Sequence, residues 1–201
     1  MPMKSFPGGR RRGLAILVGT ALGFAAWTLW PQVYDSIRRA DRVIVYEGLP
    51  HPMYEEEALR RELEAGGTIE FAGYPFYREP LDVAAADVEA LRTLMGDRSL
   101  YRPYVGEKDC GGFHPDYAVE WSSGGKTYRA LICFGCSEAW FEGPRGEVQK
   151  YDLRRDARVG GKSLLEVLRA YRKNRPAHEW VGPGTRADSA PVSPPRGRSG
   201  T

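Results

Sequence analysis

The chain has few side chains that bind metals or carry thiol chemistry: three cysteines and three histidines in 201 residues. That scarcity excludes a cysteine-dense scaffold, in which many staples stand in for a core. A broad positive charge is missing too. The formal net charge is +3, but residues 1–42 hold seven basic and two acidic side chains, leaving 22 basic against 24 acidic in the remainder. A near-neutral remainder argues against a nucleic-acid partner, which requires a cationic surface to displace counterions from phosphates. No internal repeat is present. Hydrophobic residues make up 42% of the chain, enough for one core.

Only one long apolar run exists, Gly13 to Trp30, and it carries no charge. As a helix it would measure ~27 Å, close to the ~30 Å hydrocarbon core of a bilayer. Trp27 and Trp30 stand at its far end, suited to the headgroup layer, and Pro31 follows. The expected organisation is a basic segment (1–12), a transmembrane signal anchor (13–34), an extracytoplasmic α+β domain (42–175) and a disordered tail (176–201). A cleaved signal peptide and a buried core helix are the alternatives for the apolar run. Four basic residues precede the run without an acid, which places the N-terminus in the cytoplasm and makes the membrane the first partner. No cysteine lies near the run to carry a lipid.

Periodicity divides the middle of the chain. Val43–Gly48, Thr68–Ala72, Tyr117–Trp121, Thr127–Phe134, Glu138–Glu142 and Glu147–Leu153 read as strands, with a turn at Ser123-Gly124-Gly125. Helices are expected over Tyr54–Ala65, Asp82–Met95 and Ser163–Lys173. Gly73–Pro80, with its three aromatic residues, reads as a loop. From Arg175 onward the chain is rich in Pro, Gly, Ser and Arg and nearly free of aliphatics. The fold class is therefore α+β: an antiparallel sheet with two or three helices on one face, preceded by a single transmembrane helix.

Chemistry concentrates between Lys108 and Glu138. Cys110 and His114 sit in a Gly-rich loop, and Cys133 and Cys136 follow a β-like run. The hairpin between them has arms of similar length, which would return the second pair beside the first. Three Cys and one His form a tetrahedral zinc set, so Cys110, His114, Cys133 and Cys136 are candidate ligands and zinc the candidate cofactor. Gly135 would supply the left-handed residue of a metal knuckle. Two rivals stand beside zinc. Cys110 could form a disulfide with Cys133 or Cys136, or all three could be buried thiols. Redox catalysis fits poorly, because strand rather than helix follows Cys136. Haem attachment fails because position 137 is Ser.

Gly160-Gly161-Lys162-Ser163 resembles part of a phosphate loop, but the required earlier glycine is Asp156. Ser163 and Glu166 instead match a capping box. His51 is the residue to test if the site gains a ligand, and Asp116 and Glu138 are the carboxylates placed to act as a base.

Gly48–His51 (GLPH), Pro75–Tyr77 (PFY), Cys110–Tyr117 (CGGFHPDY) and Cys133–Glu138 (CFGC-x-E) resemble a group of small bacterial exported or membrane-anchored proteins of unknown function. The resemblance covers about residues 43–155. It implies a location in the bacterial envelope and no activity. The chain differs from the lipid-anchored members in lacking an N-terminal cysteine. The sequence shows no acid–base–nucleophile set. The expectation is thus a single-pass envelope protein whose Cys/His cluster is structural, acting as a binding module. The alternative is a metal-dependent enzyme with an open metal position.

Overall fold

A computed structural model describes residues 33–175 apart from 107 and 109. The expected tail (176–201), the basic segment (1–12) and all but the last two residues of the expected anchor lie outside the described residues. Among the described residues no helix is long and apolar enough to cross a membrane.

Six antiparallel strands form the main sheet, in the order β1-β5-β6-β7-β8-β4. They are β1 (Arg42–Glu47), β4 (Tyr101–Pro103), β5 (Tyr117–Ser123), β6 (Lys126–Cys133), β7 (Glu138–Glu142) and β8 (Val148–Leu153). β5 through β8 form a meander, because each connection is a short turn. Gly124 and Gly125 close the β5–β6 hairpin with φ of 57° and 73°, a pair of left-handed residues that matches strand twist. β1 pairs with β5, and β4 closes the far edge on β8.

Alternation along the strands sends their side chains to two different cores. Val45, Tyr117, Val119, Trp121, Tyr128, Ala130, Ile132, Ala139 and Phe141 join the main core. Helices cover that face: α1 (residues 33–38), α3 (Ala85–Met95) and α4 (Leu164–Arg169) contribute Tyr34, Ile37, Leu91, Leu94, Met95, Leu164, Val167 and Leu168. Ala118 and Leu131 point the other way, onto Phe71 and Phe76 of the hairpin β2 (Thr68–Phe71)–β3 (Tyr74–Tyr77). Two short strands, β9 (Arg158–Val159) and β10 (Lys162–Ser163), lead into α4. Its capping box is formed: the Ser163 hydroxyl accepts from the Glu166 N–H, and Glu166 accepts from the Ser163 N–H at 2.7 Å.

The α+β class and the antiparallel sheet agree with the sequence reading, and the structure adds detail at particular elements. Tyr34, Ile37 and Ala40, before residue 42, belong to the main core. Val33, Tyr34, Ile37 and Ala40 recur at helical spacing, so they bury one stripe while Asp35, Arg38 and Arg39 mask it in composition. Residues 74–77 form a strand, because Tyr74 to Tyr77 pair with Phe71 to Thr68. α2 (Glu56–Ala65) buries no residue, and Leu63 of its apolar face is 49% exposed. On α4 Leu164, Val167 and Leu168 are buried and Leu165 is half-buried.

Candidate functional site

One end of the sheet gathers the residues singled out by their chemistry. β1 ends at Glu47, opposite Tyr117, the first residue of β5. The chain therefore enters β5 through His114 and Asp116 beside the segment that leaves β1 through Gly48 and His51. Gly48 donates its N–H to the Asp116 carbonyl at 2.8 Å. A Cβ on Gly48 would lie 2.1 Å from the Pro115 carbonyl oxygen, so only glycine allows this approach. Cys133 ends β6 opposite Glu138, and residues 134–137 turn the chain into β7. The left-handed residue of that turn is Ser137, at φ 55°, and not Gly135.

Cys110 and Cys136 are joined by a disulfide, with Cα atoms 5.6 Å apart. Cys133 remains a buried thiol that packs with them. The two cysteine segments thus converge as expected, but through a covalent bond. Sulfurs bonded to each other are not thiolates, so with this disulfide formed Cys133 and His114 of the four expected zinc ligands are left as donors. Among the described residues no group of three or more His, Cys, Asp or Glu is disposed to hold a metal ion.

His51 and His114 face one another, with ring centroids 4.7 Å apart. Both are buried, at 4% and 7% exposure. The Met53 N–H donates to His51 Nδ1 at 3.1 Å. The His114 ring donates to backbone oxygens at Pro50 and Leu49, while its Nδ1 makes no hydrogen bond among the described residues. Burial, then the Arg175 charge, then His51 pull His114 down to about 3. Burial and Arg175 lower His51 as well, against the pull of Glu55. Burial and the Asp116 charge push the Cys133 thiol up to about 12, although it accepts N–H groups from Cys136 and His114. The imidazoles are neutral and the thiol protonated at pH 7, so the cluster holds no thiolate nucleophile.

Arg175 carries the charge of this region. Its guanidinium, 4% exposed, donates to Asp116 through Nη1 and to Glu55 Oε2 at 3.2 Å through Nη2. Glu55 also accepts the His51 N–H at 2.8 Å, and Asp116 accepts the Phe134 N–H at 2.7 Å. The chain around Arg175 is tied down by Glu47, itself 1% exposed. That carboxylate accepts from the backbone of Lys173, Asn174 and Arg175 and from the Asn174 side chain at 2.8–3.3 Å. Arg175, the last residue of the expected domain, thus belongs to its interior.

The cavity among His51, Cys110, His114, Asp116, Cys133, Cys136 and Arg175 is about 10 Å³, the scale of a single water. Asp116 is committed to Arg175 and Phe134 and has no lone role as a base. Glu138 does not line this cavity. Burial raises its pKa; Trp140 Nε1 donates to it at 3.1 Å, and Lys108 lies 3.8 Å away.

Sequence reasoning missed Arg175, Glu47 and Glu55. Glu47 left a trace, since it continues the inward period of Val43 and Val45, and an acid on a buried face requires a partner. Arg175 left none, being surrounded by polar residues at the edge of a Pro-rich stretch. No family model matches the chain, and neither a curated protein nor a solved structure matches it.

Proposed function

We propose that the chain is a membrane-tethered envelope protein whose domain faces away from the cytoplasm and serves as a non-catalytic binding module. The Cys110–Cys136 disulfide carries this reading. Disulfides persist in oxidising compartments, which agrees with export of the domain. The apolar run Gly13–Trp30, with basic residues before it, suits a single-pass anchor with that orientation. The cluster beside the disulfide suits a structural role: its thiol is protonated, its imidazoles are neutral and its cavity is too small for a substrate. A metal-dependent enzyme built on the same four residues would first need the disulfide reduced.

The test is a thiol count on the full chain recovered from bacterial membranes, by alkylation under denaturing conditions and mass spectrometry. One modified cysteine, Cys133, is expected, with the domain digestible by protease added to spheroplasts. Three modified cysteines, or a domain protected from external protease, would overturn the reading.

A further inference from the structure

A second cavity, of about 360 Å³, opens between α4, the end of β8 and the 134–137 turn. It lies at the lower end of the ~300–1,000 Å³ range of small-ligand sites. Its floor is apolar: Leu100, Phe134, Leu153, Leu164 and Leu165. Its rim holds four guanidinium groups, from Arg154, Arg155, Arg158 and Arg169. The acids that also line it are committed elsewhere. Asp116 holds Arg175, while Glu166 caps α4 and holds Arg158 at 2.8 Å. Arg154 pairs with Asp156 at 2.8 Å.

Arg155 differs from these. Among the described residues its partners are neutral oxygens: the Ser137 hydroxyl and the carbonyls of Phe134 and Gly135 at 2.8 and 3.2 Å. Its Nη1 makes no hydrogen bond among the described residues. These contacts hold the guanidinium on the turn that contains Cys136, and the side chain is exposed at the mouth of the cavity. A positioned guanidinium with Nη1 left to donate and no carboxylate partner among the described residues, above an apolar floor, matches a ligand with an anionic head and an apolar body.

We infer that this groove binds a small amphipathic monocarboxylate, with its apolar body on the leucine floor and its carboxylate on Arg155. The inference rests on the binding-module reading and names its ligand class. A macromolecular partner is not favoured, because the apolar floor is recessed and small.

The experiment is calorimetric titration of the full chain in zwitterionic detergent with 4-phenylbutyrate, and with 4-phenylbutanol as the uncharged control. Saturable uptake of the acid is expected, at least about tenfold tighter than of the alcohol, since a charge-assisted hydrogen bond is at stake. R155Q should bring the acid to the level of the alcohol. L165Q should weaken both. Circular dichroism establishes that each variant is folded. No saturable uptake by the folded wild type, or equal uptake by wild type and R155Q, overturns the groove. Dimerisation in sedimentation that L165Q abolishes, without uptake of the acid, also overturns it, in favour of a second copy of the chain as occupant. A thiol count of one with no uptake removes the groove alone. A count of three with R155-dependent uptake removes the exported-module reading and keeps the groove.

Discussion

The helix-covered face of the sheet and the cluster at the sheet's end are equally hidden from water, yet they are built on opposite terms. The first is a continuous packing of aliphatic and aromatic side chains, among them Trp121, Leu91 and Phe141. Its energy comes from area removed from water, and many similar side chains could supply it. The second holds Arg175, Glu55, Asp116, two histidines and three cysteines. Each member there depends on a specific partner, because a buried charge or donor left alone is costly. A buried core tolerates substitution by volume, whereas a buried polar cluster tolerates it only by chemistry.

Removing one partner from each region should give the largest contrast. Arg175→Ala strands Glu55 and Asp116 and should cost about 3–5 kcal/mol. Leu91→Met keeps the volume of a fully buried side chain and should cost less than about 1.5 kcal/mol. Urea midpoints of the full chain measure both, and equal losses would erase the distinction. Next comes the disulfide, which closes a separation of 26 residues. Cys110→Ser together with Cys136→Ser should cost about 2–4 kcal/mol, chiefly by freeing the unfolded chain.

Acid should separate the regions by a smaller amount. His114 titrates near 3 in the fold and near its ordinary 6.5 when unfolded. Between those values the unfolded chain takes up the proton first, so stability is complete above pH 6.5 and falls as pH drops toward 3. The loss should reach about 2 kcal/mol between pH 7 and pH 5, with His51 acting in the same direction. His114→Phe should flatten that slope, and a slope unchanged in the variant would assign it elsewhere. The smallest effect belongs to neither region. Replacing Arg60, more than half exposed between Glu57 and Glu64 on α2, by alanine should leave the urea midpoint almost unchanged.

The elements legible in advance were those with a period. β5 and β6 alternate over seven and eight residues, and the Gly-Gly turn between them has one backbone solution. The capping box of α4 was legible because two side chains at fixed spacing satisfy each other. β3 was not, because Tyr74-Pro75-Phe76-Tyr77 has no alternation of polarity and contains a proline. Its strand character comes from Ile69 and Phe71 across the hairpin. The convergence of Cys110 with the Cys133–Cys136 segment was legible from hairpin arm lengths. The choice of Cys136 over Cys133 as the partner was not, since the two stand three residues apart at the end of one strand and no local pattern separates them.

Local order along the chain determined the α+β class, the meander and the meeting of the thiol-bearing segments, because side-chain periods and turn residues act over a few neighbours. Only the tertiary structure decided which sulfurs bond and that Arg175 lies inside. It alone decided that Glu47 anchors the chain entering that position, through contacts 126 to 128 residues apart. Such pairings leave no local pattern, since the partner that makes a buried charge tolerable can stand anywhere along the polypeptide.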